Sequence, residues 1–132
     1  FRRVLFRSWG TGGRWFKSSR PDQLKKSMKK KFKIFYTTCE NKIDAKKIAR
    51  NLLSNKNAKC INIFKNVESF YVDNDSIVSS EEIIMIIKTH NSKKKIESAL
   101  ENIHPYETPI IVELKANQPN KKYLDWFLKN SE

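Results

Sequence analysis

The order in which the hydrophobic pattern of this chain switches between strand-like and helix-like periods constrains its fold more than any other feature. Strand-like segments, which either alternate with a period of two residues or form a short apolar run, are present at 32–38, 60–72, 77–89 and 109–114. A period of about 3.6 residues, typical of amphipathic helices, is present at 41–53, 92–103 and 120–130. This order predicts an α+β fold, the ferredoxin-like βαββαβ sandwich, with an additional C-terminal helix.

The second and third predicted strands are longer than a four-stranded sheet of this size needs. Asp73-Asn74-Asp75 separates them, and because no glycine follows residue 13, Asn and Asp have to supply any positive φ in the turn. We expect 67–72 and 77–80 to project as an extended hairpin whose unpaired edges invite pairing with another chain. The apolar run at 81–89 (EEIIMIIKT) is predicted to be buried on both faces of the sheet.

The predicted topology brings distant residues to one edge of the sheet. In this fold the strand order is four-one-three-two, so Cys39 at the end of strand one lies near the turn His104-Pro105-Tyr106-Glu107 before strand four. Cys60 opens strand two at the opposite edge. Two strand spacings of about 4.8 Å plus a strand's length exceed the roughly 7 Å Cα limit of a disulfide. We therefore predict two free thiols, which suit a cytoplasmic protein.

The first 27 residues differ in composition from the rest of the chain. The net charge is +13, and 1–27 contain eight basic residues and one acid, against 19 basic and 13 acidic residues in the other 105. All three glycines and five of six arginines lie there, while the remainder is rich in Lys, Asn and Ile. We expect 1–27 to be a leader that is not part of the natural protein, with translation starting at Met28, or else an organelle transit peptide. The domain is then 28–132, and no segment is apolar enough for a secretion signal or a membrane span.

Four short motifs occur in order along the domain. They are Tyr36-Thr37-Thr38-Cys39, Cys60-Ile61-Asn62-Ile63, His104-Pro105-Tyr106-Glu107 and Tyr123-Leu124-Asp125-Trp126. In this order and at these separations they resemble the CutA family, the divalent-cation tolerance proteins. The resemblance implies a homotrimer in which strands of neighbouring subunits extend each other's sheets, a plan that also occurs in the PII signalling proteins. It also implies binding of copper or another divalent cation.

The resemblance places candidate metal ligands at His104 and Cys39. The His of His-Pro-Tyr is among the family's proposed ligands and corresponds to His104. The family's strand-one cysteine falls at Thr37, and Cys39 lies two residues along on the same face, where it can substitute. The alternative is that His104 caps the second helix and shapes the turn before Pro105. Glu40 stands where the family usually has proline, and the hairpin lacks the family's Trp and Gly.

No catalytic constellation is present, because the chain has no phosphate-binding glycine loop, nucleophile elbow or full metalloenzyme ligand set. We therefore predict no catalytic residue and no organic cofactor. The first hypothesis is a non-enzymatic, trimeric protein that binds copper or another divalent cation. The alternative is a PII-like sensor that binds a small ligand between subunits and signals to protein partners. Nucleic-acid binding by the lysine faces is disfavoured, because no stacking or groove-reading motif supports it.

Overall fold

The structure is a computed structural model that describes residues 31–129, so the predicted leader at 1–27 lies outside the described residues. Seven elements follow one another: β1 (Lys33–Cys39), α1 (Lys42–Ser54), β2 (Cys60–Asp73), β3 (Ser76–Thr89), α2 (Lys93–Ile103), β4 (Ile111–Leu114) and α3 (Lys121–Lys129). The predicted order of strands and helices is confirmed.

The four strands form one antiparallel sheet in the spatial order β2-β3-β1-β4. β1 lies in the centre and pairs with β3 from Lys33↔Thr89 to Cys39↔Ile83. This is the predicted ferredoxin-like topology. β4 begins at residue 111 rather than at the predicted 109, because Pro109 has no N–H to donate and the carbonyl of Ile110 accepts from Thr37 Oγ1 at 2.6 Å.

The core lies between the sheet and the two helices α1 and α2. Alternation along each strand turns every second side chain toward the helices, and the helices turn their apolar faces toward the sheet. The side chains that meet in this layer are fully or almost fully buried: Phe35, Thr37 and Cys39 in β1, Ile83, Met85 and Ile87 in β3, Ala45, Ile48 and Leu52 in α1, and Ile96 and Leu100 in α2. Burial of each large side chain contributes about 1.5–3 kcal/mol.

Both core helices begin at a side-chain cap. The Asn41 side chain accepts from the Asp44 N–H at 2.9 Å, and the Ser92 hydroxyl accepts from the Lys95 N–H at 3.2 Å. Two residues assigned to the apolar face of the helix predicted at 41–53 are not buried. Ile43 is 67% exposed in the first turn of α1, and Leu53 is 41% exposed in its last turn.

The second face of the sheet is covered less completely than the first. Ile84 and Ile86 of β3 are half-buried in one protomer, so the prediction that this apolar run is buried on both faces is wrong for them. α3 packs Phe127 against Phe32 with ring centroids 5.1 Å apart, beside the start of β1. The middle of this face therefore keeps apolar surface in contact with solvent.

β2 and β3 continue beyond the core sheet as a two-stranded hairpin, which we call the hairpin arm (residues 67–73 and 76–82). Among the described residues, its two strands pair only with each other, from Val67↔Glu82 to Asp73↔Ser76. Asn74 (φ 51°) and Asp75 (φ 66°) form the predicted glycine-free turn. Seven residues of strand extend about 23 Å at about 3.3 Å each. The arm therefore carries open edges away from the core.

Candidate functional site

His104 closes α2 and connects it to β1. The residue is only 8% exposed, and Nε2 lies 2.7 Å from the carbonyl oxygen of Thr38. Because a carbonyl oxygen only accepts, Nε2 carries the proton, and Nδ1 is left to accept from the Tyr106 N–H at 3.1 Å. Both ring nitrogens of the neutral imidazole are thus used. The expectation that His104 caps α2 and shapes the following turn is confirmed.

Cys39 ends β1 at the same edge of the sheet. Its side chain is fully buried on the helix-facing side, and Sγ lies 3.7 Å from the carbonyl oxygen of Asn41. Burial, followed by the charge of Asp44, raises the pKa of the thiol to about 11 against the opposing effect of the Asn41 hydrogen bond. The thiol therefore stays protonated at neutral pH, and a metal has to displace its proton.

The predicted meeting of the His104 turn with the end of β1 is confirmed, since the imidazole bonds the residue that precedes Cys39. Joint ligation of a metal by His104 and Cys39 stays a prediction. Within residues 31–129, no group of three or more His, Cys, Asp or Glu side chains is arranged to hold a metal ion. Both cysteines are free, and Cys60 opens β2 at the opposite edge, as predicted.

A hydrogen-bond chain joins the His104 turn to the hairpin arm. The Tyr106 hydroxyl donates to Glu82 Oε2 at 3.1 Å, and the Ser69 hydroxyl donates to Glu82 Oε1 at 2.8 Å. Burial, then the hydrogen bond to Glu82 and its charge, raises the pKa of the Tyr106 phenol, so it stays a donor. The Tyr106 ring also packs against His104 with centroids 5.0 Å apart. The turn and the arm are thereby held together.

Sequence reasoning missed the roles of Glu82 and Ser69. The available signal was a pair of adjacent acids, Glu81-Glu82, at the start of an otherwise apolar strand. An acid in such a position needs a partner or solvent. Its partner in this fold, Tyr106, is set by the register of β3 against β1 rather than by any local pattern.

An open cavity of about 1140 Å³, which we call the arm cavity, lies between the hairpin arm, the end of β1 and the turn that follows His104. Its acidic lining residues are Glu40, Glu81 and Glu82, and its aromatic ones are Phe70, Tyr71 and Tyr106. The lining residues, all in the described part of the chain, include no Lys, Arg or His. The site next to His104 is therefore acidic and aromatic in a chain of net charge +13.

A family model and the sequences of known proteins identify the same family for this chain. A family model described as CutA1 divalent ion tolerance protein matches residues 33–130. The CutA homolog of Xenopus laevis is 35% identical over 92 residues, covering 69% of this chain and 61% of that protein. The divalent-cation tolerance protein CutA of Archaeoglobus fulgidus is 34% identical over 94 residues, covering 70% and 91%. The chain thus spans less than two thirds of the Xenopus relative and most of the archaeal one.

Solved structures agree with the sequence relatives. The divalent ion tolerance protein CutA1 of Ehrlichia chaffeensis superposes with a TM-score of 0.74 at 35% identity, covering 78% of this chain and 97% of that one. CutA1 of Oryza sativa gives a TM-score of 0.71 at 29% identity, covering 76% and 94%. Within residues 31–129, no helix is long and apolar enough to cross a membrane. The chain belongs to the CutA1 family of divalent ion tolerance proteins.

Proposed function

We propose that the protein is a non-enzymatic, cytoplasmic homotrimer that binds divalent cations, copper among them, through His104 and Cys39 at the edge of the sheet where β1 ends. The observation that carries the proposal is the hydrogen bond from the His104 imidazole to the backbone carbonyl of Thr38, the residue that precedes Cys39. Imidazole nitrogen and thiolate sulfur are ligands that suit copper better than carboxylate oxygen does. Membership in a divalent ion tolerance family supports the same function.

The donor set fits a loosely held cation rather than a tight site. His104 can ligate only by exchanging a hydrogen bond, since Nε2 donates to Thr38 and Nδ1 accepts from Tyr106. Cys39 can ligate only by releasing its proton. Two protein ligands also leave the coordination of copper to be completed by water or by another subunit.

A trimer is supported by the apolar surface that one protomer leaves exposed. The hairpin arm exposes 67% of Phe70, 69% of Val72 and 77% of Ile77, and its strand edges have no partner within residues 31–129. The half-buried Ile84 and Ile86 add to this surface. Open edges beside apolar side chains favour strand pairing with a second copy.

Copper titration of the variant His104→Asn tests the imidazole ligand. Asparagine removes the imidazole, while its side-chain oxygen can still accept from the Tyr106 N–H two residues on. We expect the affinity for Cu²⁺, measured by anaerobic calorimetry, to fall at least tenfold, by about 1.4 kcal/mol or more. The variant His90→Asn, at the opposite end of β3, should bind as the parent does. Equal affinity in both variants would refute the assignment of His104.

The thiol ligand has a separate signature in the pH dependence of binding. Because the pKa of Cys39 is raised to about 11, copper has to displace a proton throughout the neutral range. The thiol should therefore add a rise in affinity of about tenfold per pH unit from pH 6 to 8. Cys39→Ser should abolish this rise and Cys60→Ser should retain it. If the affinity of Cys39→Ser rises with pH as steeply as that of the parent, the Cys39 thiol is not a ligand.

The arm cavity favours a second candidate function, a PII-like sensor that binds a small ligand between subunits. The volume of about 1140 Å³ and the mixture of acidic and aromatic walls are suitable for an organic molecule. A ligand that binds the folded trimer raises its melting temperature by mass action. We expect a thermal-shift screen of metabolites to give at least one hit whose effect is lost in Tyr71→Ser, and a screen without such a hit argues against this function.

A further inference from the structure

We propose that the solvent-facing side of α1 and the first turn of α2 form a docking surface for an anionic lipid membrane. We call it the helix surface, and it consists of Ile43, Lys46, Lys47, Arg50 and Leu53 of α1 with residues 93–95 of α2. The contact is peripheral, at the level of the lipid head groups. Three features of this surface point to a membrane: its charge, the apolar side chains among the charges, and its position away from the proposed contacts between subunits.

The helix surface carries positive charge that the fold leaves unpaired. The two helices contain seven Lys or Arg and three Asp or Glu. Lys46, Lys47 and Arg50 are exposed and form no ion pair within residues 31–129. In α2, Lys93 pairs with Glu97 at 3.8 Å, which leaves the other two lysines of the first turn uncompensated there. Clusters of about four to eight basic side chains on one surface are typical of proteins that bind anionic lipids.

Two large apolar side chains lie among these charges. Ile43 is 67% exposed and Leu53 is 41% exposed, near the two ends of α1. Ile43 precedes Lys46 by three residues and Arg50 by seven, so the three side chains lie on the same side of the helix. The buried side chains of α1, which face the sheet, are Ala45, Ile48 and Leu52. Ten helical residues separate Ile43 from Leu53 by about 15 Å. The basic side chains are therefore flanked by apolar ones on the side that faces solvent.

The start of α2 is held beside the end of α1. The carbonyl of Asn57, in the loop after α1, accepts from Thr89 Oγ1 at 2.6 Å and from Asn91 Nδ2 at 3.0 Å. The Asn57 N–H donates to the carbonyl of Leu52 in the last turn of α1 at 2.8 Å. These bonds join the loop before α2 to the last turn of α1. The lysines at 93–95 therefore extend the basic surface of α1.

The helix surface lies on the opposite side of the sheet from the apolar face assigned to the trimer. α1 and α2 pack on the face that carries Phe35 and Met85, whereas alternation turns Ile84 and Ile86 to the other face. The hairpin arm continues the sheet itself. A neighbouring subunit that extends the sheet thus leaves the helix surface in contact with solvent.

The apolar side chains favour a membrane over a nucleic acid as the partner. Both partners carry phosphate groups, which lysine and arginine bind in either case. At a membrane, aliphatic side chains enter the boundary between head groups and acyl chains, while lysines beside them keep their ammonium groups at the head groups. A phosphate backbone offers no such layer to Ile43 and Leu53. The pairing of exposed aliphatic and basic side chains therefore fits an anionic lipid surface.

Flotation of the full chain with lipid vesicles tests this proposal. One set of vesicles contains equal parts of phosphatidylcholine and phosphatidylserine, and the other contains phosphatidylcholine alone. We expect binding only to the anionic vesicles, and added salt should weaken it. The variant Lys46→Gln/Lys47→Gln/Arg50→Gln should bind about a hundredfold less tightly, since each basic residue near an anionic surface contributes roughly fivefold. Ile43→Ser should weaken binding severalfold, because it removes an exposed aliphatic side chain.

Lys121→Gln/Lys122→Gln/Lys129→Gln is the matched control, since it removes the same charge from exposed positions of α3, outside the helix surface. The control should bind as the parent does. The proposal is overturned if anionic vesicles do not bind, if neutral vesicles bind equally well, or if the control loses as much affinity as the α1 variant. Circular dichroism and light scattering check that each variant keeps the fold and the oligomeric state.

The role of Ile43 separates a membrane from other anionic partners. If Ile43→Ser binds anionic vesicles as the parent does, the surface attracts phosphate by charge alone and membrane docking is refuted. Filter binding with single-stranded RNA is measured in parallel. RNA binding that the α1 variant loses, without vesicle binding by the parent, would assign the surface to nucleic acid instead. All of these variants keep His104 and Cys39, so the copper proposal is tested independently.

Discussion

Replacement of His104 by leucine is expected to lower the free energy of unfolding by about 2–6 kcal/mol, the combined cost of two polar groups left unpaired, one buried and one half-buried, at about 1–3 kcal/mol each. The two groups are the carbonyl of Thr38 and the N–H of Tyr106, which bond the two imidazole nitrogens. Leucine has a similar volume, so the loss reflects hydrogen bonding more than packing. Urea unfolding at one fixed protein concentration measures it, because the stability of an oligomer depends on concentration.

Two further variants separate the two bonds of His104. His104→Asn places an oxygen where Nδ1 accepts from Tyr106, and His104→Gln places an N–H where Nε2 donates to Thr38. Each should recover about half of the stability that leucine loses. His104→Leu with the stability of the parent would show that neither bond forms in solution. Recovery by only one of the two variants would identify which bond holds the turn.

The sequence predicts the parts of this structure that follow from chain connectivity. Once six segments are assigned as strand or helix, the split βαβ topology places the turn after His104 beside the end of β1 and separates Cys39 from Cys60. Residue chemistry alone also predicts the turn at Asn74 and Asp75, because few other residues tolerate positive φ. These predictions need no knowledge of side-chain orientation.

The missed features depend on register and on what covers each face. Tyr106 meets Glu82 because β3 pairs with β1 in one particular register, and Ser69 reaches Glu82 after an irregularity in β2 between Phe64 and Val67. A single-residue slip would turn these side chains to the other face. Similarly, the apolar pattern predicts that Ile84 is buried, but it does not reveal that the sheet face on which Ile84 lies is only partly covered in one protomer.

The variant Ile77→Glu is expected to convert the proposed trimer into monomers. Ile77 is 77% exposed on the hairpin arm, on the same face as Phe70 and Val72. A trimer that pairs these arms with neighbouring sheets buries this apolar face, and each buried side chain contributes about 1.5–3 kcal/mol. Glutamate loses that contribution and adds the cost of a desolvated carboxylate, about 1–3 kcal/mol or more. Together these terms reach about 4 kcal/mol per interface, which weakens it about a thousandfold.

Ile43→Glu is the matched control for this prediction. Ile43 is 67% exposed, so the two variants exchange the same side chain at similar exposure, but Ile43 belongs to α1 and not to the arm. Light scattering at micromolar concentration should give the trimer mass for the parent and for Ile43→Glu, and the monomer mass for Ile77→Glu. A monomeric parent would refute the trimer, whereas a trimeric Ile77→Glu would place the interface elsewhere. Loss of the trimer in both variants would show that assembly depends on apolar surface in general. Dissociation confined to Ile77→Glu would therefore identify the hairpin arm as the segment that joins the subunits.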